Sequence, residues 1–155
     1  MASRPPRKRT RVFVDSSVLM AAAISATGFA RDLILAGQLK DVTLVLSALV
    51  VEETERNLRR KALAAIPAFE FFLTQIPFAT TEASRALVRR VAKVVELKDA
   101  AIVAGAMSGK VQYLATYDRR HLLSQAGIIR AAFGVDVVTP DIVIGMWKAQ
   151  GQGLE

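Results

Sequence analysis

The chain has 155 residues, of which 52% are hydrophobic, with no cysteine, one histidine and a formal net charge of +7. The length and hydrophobic content predict one globular domain with a sizeable core. The absence of cysteine excludes disulfides and thiolate metal sites and fits a reducing cytoplasm. A single histidine excludes a metal site built from a histidine cluster. No apolar run reaches the about 18 residues of a membrane span, and no apolar segment behind the basic N-terminus makes it a secretory signal.

Residues 1–10 are predicted to be a basic, flexible arm. Five basic residues and no acid lie among the first eleven positions, namely Arg4, Arg7, Lys8, Arg9 and Arg11. The rest of the chain has 16 basic and 14 acidic residues, so this segment carries most of the net charge. Such an arm either binds a polyanion such as RNA through phosphate contacts or is a solubilising tail.

Short β-rich runs alternate with helical ones over residues 11–150, which we interpret as one domain followed by a tail at 151–155. Strands are predicted at 11–14, 42–47, 76–80, 112–116 and 135–139. Helices are predicted at 16–24, 30–36, 48–63, 67–75, 82–95, 98–108, 119–125 and from Thr139-Pro140-Asp141 onward. This alternation predicts an α/β fold with a parallel sheet of about five strands covered by helices on both sides.

Acidic residues lie at the places where sites form in such sheets, the carboxyl ends of the strands. Asp15 ends the first strand, and Asp118 follows the fourth. Asp99 lies in the first turn of its helix, and Glu52 and Glu53 lie early in the helix after the second strand. Singly, each has an alternative role as a helix cap, a turn residue or part of a solvated face. Together they would repel one another unless a hard cation such as Mg²⁺ or Mn²⁺ compensates.

Four blocks of the sequence resemble a PIN domain, in particular the VapC-like ribonucleases of toxin–antitoxin modules. The blocks are VFVDSSVL, LSALVVEETERNL, KDAAIVAGAMSGKVQYLATYD and VVTPDIVI, and they occur in the family's order over about residues 11–144. The resemblance implies a PIN-like three-layer fold and an endoribonuclease that hydrolyses RNA phosphodiesters with water activated by one or two Mg²⁺ or Mn²⁺ ions. It also implies a cognate antitoxin partner.

The resemblance implies that four acids are the metal ligands and catalytic residues, namely Asp15, Glu53, Asp99 and Asp118. For the second acid, the spacing of five residues to Leu58 favours Glu53 over Glu52. Ser17 and Thr116 either support the acids or cap local backbone.

One position departs from the family pattern. Many relatives carry another acid two residues after the fourth, where this chain has Arg120, so a site with a single metal stays open. Arg119, Arg120 and His121 either contact RNA phosphates beside the cleft or form an exposed helix face. The arm residues Arg7, Lys8 and Arg9 are further candidate RNA contacts.

Two other functions are compatible with the small α/β domain. The first is a catalytically weak PIN domain that binds RNA or serves in an assembly, which Arg120 and the basic arm favour. The second is a receiver-like signalling domain, which is disfavoured because Asp15 has no acidic neighbour.

A phenylalanine-rich helix suggests homodimerisation. Phe69, Phe72 and Leu73 are predicted to share one helix face. Phe69, Phe71 and Phe72 cannot all lie on one face, so one of the three serves either an interface or neighbouring core.

Overall fold

Five parallel strands form one sheet in the computed structural model, which describes residues 9–152. The strands are β1 (Thr10–Val14), β2 (Val42–Ser47), β3 (Ala79–Thr81), β4 (Tyr113–Ala115) and β5 (Asp136–Val138). Their order across the sheet is β3-β2-β1-β4-β5, and each neighbouring pair is parallel. The predicted parallel sheet of about five strands is therefore confirmed.

Eight α-helices surround the sheet within the described part of the chain. They are α1 (Ser16–Ile24), α2 (Phe29–Ala36), α3 (Ala48–Lys61), α4 (Ile66–Gln75), α5 (Arg85–Val91), α6 (Leu97–Ser108), α7 (Ala126–Phe133) and α8 (Pro140–Gln152). Over residues 9–152 no single helix is long and apolar enough to cross a membrane. Only α1 and α2 together, bent by 104° at their junction, meet the length and composition of a span.

The central strand is buried on both faces. Val12, Phe13 and Val14 follow one another in β1 and are all inaccessible to solvent. Because successive side chains of a strand point to opposite faces, helices must cover the sheet on both sides. One of these helices, α6, packs across β1, β2, β3 and β4.

The predicted helix at 119–125 is wrong. These residues form turns and a short 3₁₀ helix, Leu123–Gln125. Asp118 caps the start of this segment, since its carboxylate accepts the His121 backbone N–H at 3.0 Å. The N–H groups of Leu123 and Ser124 then bond the carbonyls of Asp118 and Arg119, five residues earlier, instead of the four of an α-helix. The following helix, α7, has no counterpart among the predicted elements; it ends at Gly134, whose φ of 72° suits a glycine.

Two other predicted elements begin three residues later than expected. The third strand begins at Ala79 instead of residue 76, because the Ile76 N–H closes the last turn of α4 on the Phe72 carbonyl, and Pro77 has no N–H to donate. The predicted helix at 82–95 is shorter, since α5 begins after Ser84, whose hydroxyl accepts the Leu87 N–H at 3.1 Å.

Helix α4 buries two of its three phenylalanines. Phe69 and Phe72 lie in the core, and the Arg31 guanidinium lies 5.0 Å from the centre of the Phe72 ring. Phe71 is 51% exposed, and Leu73 is also partly exposed, so Leu73 does not share the buried face that its spacing predicted.

Of the predicted arm, residues 9 and 10 are among the described residues. Arg7, Lys8 and residues 153–155 lie outside the described residues. Arg9 is exposed and directly precedes β1.

Two substitutions in α4 are expected to show how strongly the buried and the exposed phenylalanine contribute to the free energy of unfolding. Phe72→Ala should lower the free energy of unfolding by about 3–5 kcal/mol, because it leaves a cavity in the core. Phe71→Ala, one residue away and half exposed, should change it by no more than about 0.5 kcal/mol. Urea unfolding followed by the Trp147 fluorescence measures both, and equal losses would contradict the burial described for this helix.

Candidate active site

The site lies between β1 and β4, where the order in which successive strands are added to the sheet changes direction. The residues that follow β1 and β4 are Asp15 and Thr116, and these two strands are neighbours. The Asp15 N–H donates to the Ala115 carbonyl at 3.0 Å, and the Thr116 N–H donates to the Val138 carbonyl at 2.9 Å. The crevice of a doubly wound sheet opens at this kind of switch point.

Two hydroxyl groups hold the Asp15 carboxylate. The Thr116 Oγ1 donates to Asp15 Oδ2 at 2.8 Å, and the Ser17 Oγ donates to the same oxygen at 2.9 Å. Each hydroxyl oxygen also accepts a backbone N–H, that of Tyr117 on Ser17 and that of Asp118 on Thr116. The network therefore fixes Asp15 and the start of the segment that carries Asp118.

Asp15 occupies the N-cap position of α1, but its side chain makes no capping hydrogen bond. Its carbonyl oxygen accepts the first helical N–H groups, from Val18 and Leu19. The Asp15 carboxylate therefore does not serve as a helix cap, which was the alternative role considered for this residue.

The four predicted acids line one cleft of about 610 Å³. Asp15 and Asp99 are only 6% and 3% exposed, whereas Glu53 and Asp118 are partly buried. Glu52 does not line this cleft; it is exposed and lies along two neighbouring grooves. Of the two adjacent glutamates, Glu53 is therefore the one that the fold brings to the other acids.

Other side chains in the cleft were not singled out by the sequence. Asn57 lies one turn after Glu53 on α3, and Lys98 directly precedes Asp99. Helical spacing is the signal that could have identified Asn57, since residues four apart share a face. The apolar part of the wall comprises Met20, Leu49, Leu97, Ala101, Ile102 and Leu122.

Of the two buried acids, Asp99 has the weaker partners to offset the cost of removing its charge from water. The Gln125 amide donates to its Oδ2 at 3.4 Å, and His121 Nδ1 lies 3.8 Å from the same oxygen. Burial raises the pKa of Asp99 above its ordinary value; His121 opposes this, and the Asp118 charge adds to it.

The donor set fits a hard divalent cation. Within residues 9–150, no lysine or arginine forms an ion pair with any of the four acids. Carboxylate oxygens that converge on a cleft and form no ion pair with a lysine or arginine are the ligands that Mg²⁺ and Mn²⁺ prefer. These acids are thus able to hold such an ion, and its charge would offset their desolvation.

The candidate RNA contacts lie at different distances from the acids. Arg119 and Arg120 are exposed and follow Asp118 directly. Arg9 lies at the opposite end of β1 from Asp15, about 20 Å away at the rise of a parallel strand.

A family model described as PIN domain matches residues 12–129. Among solved structures, the chain is similar to VapC20 of Mycobacterium tuberculosis, titled a sarcin-ricin loop cleaving toxin, with 21% identity over 75% of this chain and 95% of that one and a TM-score of 0.54. It is also similar to PAE2754 of Pyrobaculum aerophilum, with 17% identity over 93% and 99% of the two chains and a TM-score of 0.61. It has no significant match among curated protein sequences.

Removing one hydroxyl is expected to destabilise the protein. Thr116→Val should cost about 1–3 kcal/mol, because the buried Asp15 carboxylate loses a donor and the Asp118 N–H loses its acceptor. Thr54→Val is the matched control, since Thr54 is equally buried but its hydroxyl donates only to the Val50 carbonyl of its own helix. It should cost less than about 1 kcal/mol. Denaturant titrations at pH 7 measure the difference, and equal costs would contradict a special role for the network.

The raised pKa of Asp99 predicts a pH-dependent gain in stability for Asp99→Asn. The unfolded chain gives up this proton more readily than the folded one, so ionisation of Asp99 disfavours folding. The cost is absent well below the ordinary value of 3.8 and complete above the folded-state pKa. In the presence of a chelator, the variant should therefore be more stable than the wild type at pH 7 and lose that advantage at pH about 3. A thermal-unfolding series measures this; a gain that is the same at both pH values would rule out titration of Asp99 as its cause.

Proposed function

Because the chain belongs to the PIN domain family, we propose that it is a Mg²⁺- or Mn²⁺-dependent endoribonuclease that acts in the cytoplasm as the toxin of a type II toxin–antitoxin module. The observation that carries the proposal is the convergence of four carboxylates from four separate segments on one cleft. The two most buried of these, on Asp15 and Asp99, have no lysine or arginine partner within residues 9–150.

Asp15, Asp99 and Asp118 are the proposed metal ligands, and Glu53 completes the set from α3. Once bound, one or two ions supply an activated water and stabilise the charge that develops on the phosphodiester. The side chains of the protein fix the geometry. The hydroxyls of Ser17 and Thr116 orient Asp15, and the Asp118 backbone is tied to Thr116.

Arg119 and Arg120 are proposed to bind phosphates of the RNA. Both are exposed and adjoin Asp118, so their guanidinium groups are available beside the cleft. Such contacts position an RNA without reading its bases.

An antitoxin is the proposed protein partner. The cleft combines negative charge with an apolar border, where Leu97 and Leu49 are exposed. A peptide with a basic side chain beside apolar ones would complement both properties. A homodimer is a further proposal, which the exposed Phe71 on α4 supports.

A catalytically weak PIN domain that binds RNA is the second candidate function. Arg120 favours it, because a cation occupies a position where many relatives carry an acid. Tight RNA binding without metal-dependent cleavage would distinguish this candidate from the first.

The adjacent glutamates offer a matched test of the nuclease. Glu53→Gln should reduce RNA cleavage with Mg²⁺ or Mn²⁺ by about 100-fold or more, the loss that follows removal of a group that stabilises developing charge. Glu52→Gln makes the same chemical change one residue away, outside the cleft, and should leave cleavage unchanged. The measurement is the rate of cleavage of labelled RNAs, both single-stranded and containing a stem-loop.

Asp15→Asn completes this test. It keeps the side-chain shape but removes the charge, so we expect no cleavage and an unchanged fold by circular dichroism. Full activity in this variant would refute the proposed site. No cleavage by the wild type with either metal, together with RNA binding, would favour the second candidate.

A further inference from the structure

We propose that Glu96, Asp99 and His121 form a second cation site, which takes a divalent transition-metal ion such as Zn²⁺ or Mn²⁺ in preference to Mg²⁺. The inference rests on the proposed function in one respect, because Asp99 is shared with the proposed nuclease site. Glu96 and His121 are new ligands, and neither of them lines the cleft of the four acids.

The distances suit a shared ion better than direct hydrogen bonds. His121 Nδ1 lies 3.8 Å from Asp99 Oδ2 and 3.9 Å from Glu96 Oε2, and all three ligand atoms lie within 4.8 Å of one another. Hydrogen bonds of this kind are shorter than about 3.2 Å. Two ligands that are each about 2.1 Å from one octahedral ion stand roughly 3 to 4.2 Å apart.

The backbone holds the three ligands in this arrangement. Glu96 is the N-cap residue of α6 and Asp99 lies three positions later, so both side chains emerge on the same side of the helix start. His121 is fixed on both sides of its peptide, because its N–H donates to Asp118 and its carbonyl accepts from the Gln125 amide. The Glu96 side chain is largely exposed, which leaves an entry path for an ion.

The burial of the Asp99 carboxylate is an observation independent of the ligand distances. Only 3% of the Asp99 surface is exposed, and the hydrogen bond that it accepts from the Gln125 amide is long, at 3.4 Å. That amide and the His121 nitrogen both face Oδ2, the oxygen directed into the cluster. An ionised carboxylate in this environment is costly unless a cation or strong donors compensate it.

The nitrogen ligand determines the class of metal. Mg²⁺ prefers oxygen ligands and retains several waters, whereas imidazole is a good ligand for Zn²⁺ and other first-row transition ions. A neutral imidazole with two carboxylates gives a site of net negative charge, which matches a divalent ion.

The single histidine of the chain makes the site directly observable. In untagged full-length protein, ¹⁵N–¹H correlation spectra contain one imidazole, that of His121. Added Zn²⁺ should shift its Nδ1 resonance strongly, and Mg²⁺ at the same concentration should not. An unchanged Nδ1 resonance with Zn²⁺ would refute the site and would leave His121 as an ion-pair partner of Asp99 and Glu96.

Metal binding to variants tests the other ligands. Mn²⁺ titration followed by electron paramagnetic resonance should show that His121→Asn and Glu96→Gln each weaken one class of bound Mn²⁺ by at least about tenfold. Glu70→Gln, which removes an exposed carboxylate from α4, is the matched control and should not alter binding. Binding that is the same in all three variants would overturn the proposal.

The two proposals fail in different ways. RNA cleavage by the wild type with Mg²⁺, combined with an unresponsive histidine, would refute only the second site. A Zn²⁺-dependent shift of the histidine in a protein that cleaves no RNA would support the second site and refute the nuclease.

Discussion

Two carboxylates, those of Asp15 and Asp99, are almost completely removed from water at the carboxyl edge of the sheet, and the molecule must tolerate their desolvation. Asp15 is compensated by the hydroxyls of Ser17 and Thr116. Asp99 has much weaker partners, so its burial works against folding. Natural proteins accept such costs at functional sites because the remainder of the core supplies the stability. Here the solvent-inaccessible centre of β1 lies immediately beside the acids.

The parallel sheet explains how distant parts of the chain reach one carboxylate. Ser17 and Thr116 are 99 positions apart, yet their hydroxyl oxygens lie 3.3 Å from each other. The pairing of β1 with β4 sets this distance, because the two strands end at the same edge. Helices α3 and α6 then bring Glu53 and Asp99 to the same cleft. Each acid has its own supporting element, so the cleft depends on the whole fold more than on any single loop.

Patterns that act locally along the chain could be predicted from the sequence. The alternation of strands and helices, and the acids that follow β1 and β4, can be identified from short stretches of sequence. Both predictions match the structure. The pattern failed after β4, where the N–H groups of Leu123 and Ser124 bond carbonyls five residues earlier and turns take the place of the predicted helix. The interior Gly127 obscured α7, since glycine is a poor helix former. The approach of His121 to Glu96 depends on how α6 and the turn after β4 pack, which no local pattern contains.

The strands at the two edges of the sheet, β3 and β5, are each three residues long. An edge this short offers few free backbone groups to an incoming strand, which is how many natural proteins avoid uncontrolled association between sheets. It also limits the ways in which another protein can be recognised. Extending the sheet with a strand from a second chain would form few hydrogen bonds. A protein that binds this domain tightly would instead have to contact mainly its helices and loops, so specificity would reside in side chains.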